Sequence, residues 1–119
     1  MAYYNVGNIK GILNLDSSAH EEDEQINRYG RDADDFINTQ LGVFTTTPLS
    51  TPDDQTRRFS ERLAAAWYIF WNSPSHPMQG VYDTKKEISE YILSQYKKEA
   101  GGLTKNTFVK TSSGITGLN

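Results

Sequence analysis

A chain of 119 residues with no cysteine, a net charge of −3 and a pI of about 5.3 excludes several function classes before any motif is read. It is long enough to bury one core unaided, holds no thiolate nucleophile or cysteine zinc site, and lacks the basic face that general nucleic-acid binding needs. The longest apolar run, LAAAWYIFW, is far short of a membrane span, and MAYYNVGN has no basic region leading into an apolar one, so a chain that is soluble and intracellular at synthesis, without a secretory signal, is expected.

In chain order, Val6, Ile9, Ile12 and Leu13 recur at near-helical spacing, broken by Gly7 and Gly11. This predicts a short helix over Val6–Asn14 that docks by Ile9, Ile12 and Leu13, with Gly11 costing about 1 kcal/mol against alanine. DSSAHEE is a loop and helix start in which Ser17 or Ser18 caps and EEDE forms the first turn. Ile26, Tyr29, Ala33, Phe36, Ile37 and Leu41 then mark one helix face, closed by Gly42 as C-cap. The consecutive carboxylates of EEDE diverge around a helix and read as a solvated face, not a metal site. Val43–Ser50 is too rich in threonine and proline for a helix and reads as a loop or short strand, with Phe44 and Leu49 tucked against the bundle edge.

The chain is organised around Thr51–Asn72. Thr51 is the expected N-cap, Pro52 the first helical residue, and Asp53 and Asp54 suit the first turn. Phe59, Leu63, Ala66, Trp67 and Phe70 form the stripe, while Arg58, Glu61 and Arg62 are placed to exchange weak surface ion pairs. Trp67, Tyr68, Phe70 and Trp71 are too close in sequence to share one face. Either the helix is sandwiched in a core, or one aromatic face meets another subunit.

Ser73–Val81, with two prolines and a glycine, reads as a loop. Its His76 has no serine–acid arrangement to serve, and with His20 it gives no metal signature. Asp83 is the expected cap of a last helix, Thr84–Ala100, with Ile88, Tyr91, Ile92 and Tyr96 as its stripe and Gly101-Gly102 as its end. Leu103–Asn119 is different: it is rich in Thr, Ser and Gly, with Phe108, Val109, Ile115 and Leu118 as isolated apolar points. Charge is uneven too. Asp16 to Asp35 holds eight acids against Arg28 and Arg31, whereas from Gly101 onward there are Lys105 and Lys110 and no acidic side chain. A frayed terminus and a segment that orders on a partner are both open readings of the tail.

The predicted fold is therefore all-α: a small helical bundle of three main helices plus a short N-terminal helix over residues 1–102, with an extended C-terminal interaction tail over 103–119. There is no P-loop, dinucleotide turn, histidine pair or nucleophile elbow. No catalytic, cofactor-binding or metal-binding residues are expected, and an enzyme is the least favoured reading.

The succession of a short apolar lead (NIKGILNLD), an acidic loop, a helix ending in leucine-glycine (QINRYGRDADDFINTQLG), an alanine- and aromatic-bearing helix (ERLAAAWYIFWN), a third helix and a tail resembles the head–tail connector, or adaptor, proteins of tailed bacterial and archaeal viruses. The resemblance spans most of residues 5–100 and is one of layout and helix character. It implies a structural virion protein assembled as a homo-oligomeric ring, usually a dodecamer, between the portal protein and tail proteins. DNA would be only passing cargo in the prolonged channel, with no membrane and no cofactor. It also gives the tail residues Phe108, Val109, Ile115 and Leu118 a partner-binding role, and acids of Asp16–Asp35 a place along the channel. The loop SPSHPMQGV departs from the pattern by its length, which puts the packing of the third helix in doubt.

Two other readings stand beside it. A small helical partner-binding or regulatory module would expose an aromatic groove around Trp67, Tyr68 and Trp71. A DNA-binding helix-turn-helix would rest on Arg57, Arg58 and Arg62 alone.

Overall fold

The computed structural model describes residues 2–73 and 75–97. Among these the chain is all-helical, with α1 (Val6–Leu13), α2 (Asp23–Leu41), α3 (Asp54–Asn72) and α4 (Gln79–Ile92) in order and no strand; a short π-helical turn, Leu93–Lys97, follows. Met1–Ile88 forms one compact unit and a second begins at Ser89. The predicted 103–119 tail lies outside the described residues, and so do Phe108, Val109, Ile115 and Leu118.

Helices α1 and α3 start where a side chain satisfies a free N–H group, whereas α2 starts after Glu22 with no side-chain cap. Asn5 caps α1, its side chain accepting from the Asn8 N–H, and Asn14 ends it in the left-handed conformation at φ 58°. Asp53, not Thr51, caps α3 by accepting from the Thr56 N–H at 2.8 Å, so Pro52 lies before the helix and is buried there. Helix α2 begins later than expected, at Asp23. Ser18 is turned to the Asp16 carboxylate through both its N–H and its hydroxyl, which holds this stretch as a turn. Gly42 closes α2 in an ordinary right-handed conformation at φ −60°, so no left-handed backbone demands glycine there, although a Cβ would meet the Asn38 carbonyl oxygen at 3.2 Å.

Helix α4 begins at Gln79 rather than Thr84, because Pro77 ends the loop and Gln79 donates to Asp83 one turn on. Asp83 is thus an internal helical residue and not the cap, and the linker from α3 is shorter than SPSHPMQGV suggests.

The main pairing is α2 with α3, and it is antiparallel. Ser60 meets Asp34 near the middle, while Tyr68 further along α3 meets Tyr29 and Glu22 nearer the start of α2. Ile26, Ala33, Ile37 and Leu41 from α2 and Phe59, Leu63, Ala64 and Ala65 from α3 are buried, joined by Ile9 of α1 and by Val81 and Ile88 of α4. The alanines let helix axes approach closely, and fully burying a Leu or Ile contributes about 1.5–3 kcal/mol. Of the residues expected to dock α1, only Ile9 is fully buried. Leu13 is half-buried and Ile12 faces outward at 47% exposure. Lys10 is buried in their stead, its ammonium bound to the Ala19 carbonyl and the Asp23 carboxylate, which pins α1 to the loop before α2.

Candidate functional site

The aromatic end of α3 divides by face. Trp67, Tyr68 and Phe70 are half-buried, whereas Trp71 is 61% exposed, its ring edge-on to Phe70 at 4.8 Å between centroids. Tyr68 packs edge-on against Tyr29 and donates to Glu22 Oε1 at 2.9 Å. Burial, then that bond to an anion, raises the Tyr68 phenol above its ordinary pKa. The Lys85 ammonium lies over the rings of both Phe36 and Trp67, 5.1 and 5.2 Å from their centroids. It joins α4 to α2 and α3 by cation–π attraction, a contact of roughly 0.5–2 kcal/mol per ring depending on desolvation.

On another side of α3 lies an apolar groove of about 410 Å³. Its walls are Ile12 of α1, Ala65, Ala66 and Ile69 of α3, and Pro77 and Thr84 at the start of α4. Arg62 stands at its rim, held by a two-pronged ion pair to Glu87 at 3.2 Å per contact. The exposed His76 also lines this groove, so its place is at a surface hollow. The groove continues past Arg62 along α1, beside Gly7, Gly11 and Arg58. The expected Arg58–Glu61–Arg62 exchange does not form. Glu61 turns inward and accepts from the Asn5 N–H and the Asn8 amide, at 3.0 and 2.9 Å.

A polar clasp that the sequence reading did not foresee fixes the N-terminal segment. Asp34, buried, accepts from the Ser60 hydroxyl at 2.6 Å and the Tyr3 N–H at 3.0 Å. Burial pushes its carboxyl up, partly offset by those two hydrogen bonds. The Tyr3 hydroxyl donates to Asn38 and accepts from the Leu49 N–H, and Tyr4 lies over Gly30 with its hydroxyl on Asn27. At the other end of α2, Lys10 and then His20 hold the Asp23 carboxyl below its ordinary range. The signal available in the sequence was Gly30 and Asp34 falling on the apolar face of α2, where a glycine and an acid are out of pattern.

No group of histidines, cysteines and acids capable of holding a metal ion occurs among the described residues, and no helix there is long and apolar enough to cross a membrane. Comparison with known protein families, curated proteins and solved structures returns no match. The described surface carries an exposed indole at Trp71, an apolar groove with Arg62 at its edge, and Arg58 in the hollow beside it.

Proposed function

We propose that this protein is a structural subunit of a tailed virus, a head–tail connector that stacks as a ring between portal and tail. The observation that carries the reading is the order and packing of the helices. A short capped α1 docks on a long antiparallel α2–α3 pair, an alanine-rich face of α3 sits at the centre, and α4 follows. This is the layout on which the resemblance to connectors rests. Large apolar side chains left exposed at Ile12, Ile69 and Trp71 suit a subunit that completes its surface in an assembly.

The outward face of α2 is mixed, with Glu24, Asp32 and Asp35 beside Arg28 and Arg31, so a channel wall built on it would be only mildly acidic. The test is affinity capture of the tagged full chain from its native source, with mass spectrometry of what is retained, repeated with a chain lacking 103–119. Portal, capsid or tail proteins with the full chain, and their loss with the truncated one, are expected. Capture of a cellular complex instead would refute the connector reading. It would favour the second one, a helical partner-binding module, for which the groove beside Ala65 and Ala66 is the specific support.

A further inference from the structure

Trp71 and the apolar groove lie on opposite sides of one helix. The groove face of α3 carries Arg62, Ala65, Ala66 and Ile69. Nine residues separate Arg62 from Trp71, which is about two and a half turns, so the indole points away from the groove. Their electrostatic surroundings are complementary. Trp71 sits one turn beyond Tyr68, where α3 ends beside the start of α2; there Tyr68 reaches Glu22, and Glu21 and Glu24 are exposed. The groove's continuation along α1 is lined by Glu61, which is turned onto Asn5 and Asn8, and by Arg58, which is exposed and has no carboxylate within ion-pair distance among the described residues.

We infer that the groove takes the Trp71 indole of a second copy of this chain, with the acidic start of α2 in one copy facing Arg58 in the next. Indole and alkyl walls exclude water together, and the charges outside them set the register. Because knob and socket face opposite ways, the contact is head-to-tail. It propagates from copy to copy, and closes into a ring when the rotation per step allows. An indole anchor buries only about 150–250 Å², against the roughly 1,200 Å² or more of a stable interface. Each pairwise contact is therefore weak and gains persistence by closure. Ring closure rests on the connector reading; the pairwise contact does not.

The experiment is analytical ultracentrifugation of the full chain and two surface variants, taken to millimolar concentration, with circular dichroism to check folding. The wild type should associate reversibly. Trp71→Ala, which keeps the groove, should weaken association about 30-fold or more, as loss of a central aromatic anchor does. Ile69→Glu keeps the indole but places a charge in the groove, and it should do the same. Mixed together, the two variants should give one-to-one heterodimers that grow no further, since only one knob and one socket remain functional. A wild type that stays monomeric, variants that associate like it, or a mixture without heterodimers would each overturn the proposal. Failure of the connector reading would be seen separately, in the affinity capture, and would leave these results standing.

Discussion

Replacing Gly30 by alanine tests the clasp at its tightest point. A Cβ built on Gly30 would lie 2.6–2.7 Å from three ring atoms of Tyr4, which are its nearest neighbours. The ring cannot simply swing away, because its hydroxyl is bonded to Asn27 Oδ1 at 2.9 Å and the next residue, Asn5, is held by Glu61. Two effects compete. Alanine is better than glycine inside a helix by about 1 kcal/mol. Overpacking costs about 1–3 kcal/mol, and losing the tyrosine hydrogen bond about 1 more. Steric cost wins, and Gly30→Ala should lose about 1–3 kcal/mol, a fall in Tm of about 4–8 °C per kcal/mol for a domain of this size. The decisive assay is a double-mutant cycle by thermal or urea unfolding. In a Tyr4→Ala background the same substitution should become stabilising by about 1 kcal/mol, because the clash is gone and only helix propensity remains. If Gly30→Ala stabilises the wild type, or destabilises both backgrounds equally, the close approach of Tyr4 to α2 is not what selects glycine.

Other perturbations test the neighbouring contacts. Ser60→Ala removes a hydroxyl donor from the buried Asp34 and should cost about 1.5–3 kcal/mol in urea unfolding. Because burial raises the Asp34 carboxyl, the folded chain holds that proton more tightly than the unfolded one. Its contribution is thus most favourable below the ordinary value of 3.8 and declines as pH rises from there through the raised one. The stability difference between wild type and Asp34→Asn should accordingly shrink or reverse toward neutrality, and a difference that grows with pH would refute the burial argument. Asp23 works in the opposite sense, its contribution being present above 3.8 and lost as pH falls through its lowered value. Asp23→Ala, which strands the buried Lys10, should destabilise more than Lys10→Met, which leaves a carboxylate that is 31% exposed and keeps His20 on its second oxygen. Equal losses in unfolding assays would mean the pair is not burial-limited.

The long helices were legible because their apolar residues recur at helical spacing and their burial decides the packing. Ile26, Ala33, Ile37 and Leu41 of α2, and Phe59 and Leu63 of α3, are where periodicity puts them. What failed to read was chemistry that depends on partners distant in sequence. Glu61 looks like a surface ion-pair residue until Asn5 and Asn8 are seen to reach it across more than fifty residues. Lys10 looks solvated until the loop before α2 closes over it. Asp83 has the character of a cap, but the local Gln79–Asp83 bond and a proline two residues earlier start α4 sooner. Ile12 shares the spacing of Ile9 and still faces outward, because an eight-residue helix buries only one narrow edge. In the candidate site, the aromatic cluster was visible in sequence, but its split into half-buried Trp67, Tyr68 and Phe70 and exposed Trp71 was not. That division depends on where α2 begins.

The most direct test of the connector reading is immunogold electron microscopy of intact virus particles from the native source, with an antibody raised against this chain. The account predicts label confined to the junction between head and tail. Label spread over the capsid, or absent from particles that contain the portal, would contradict it.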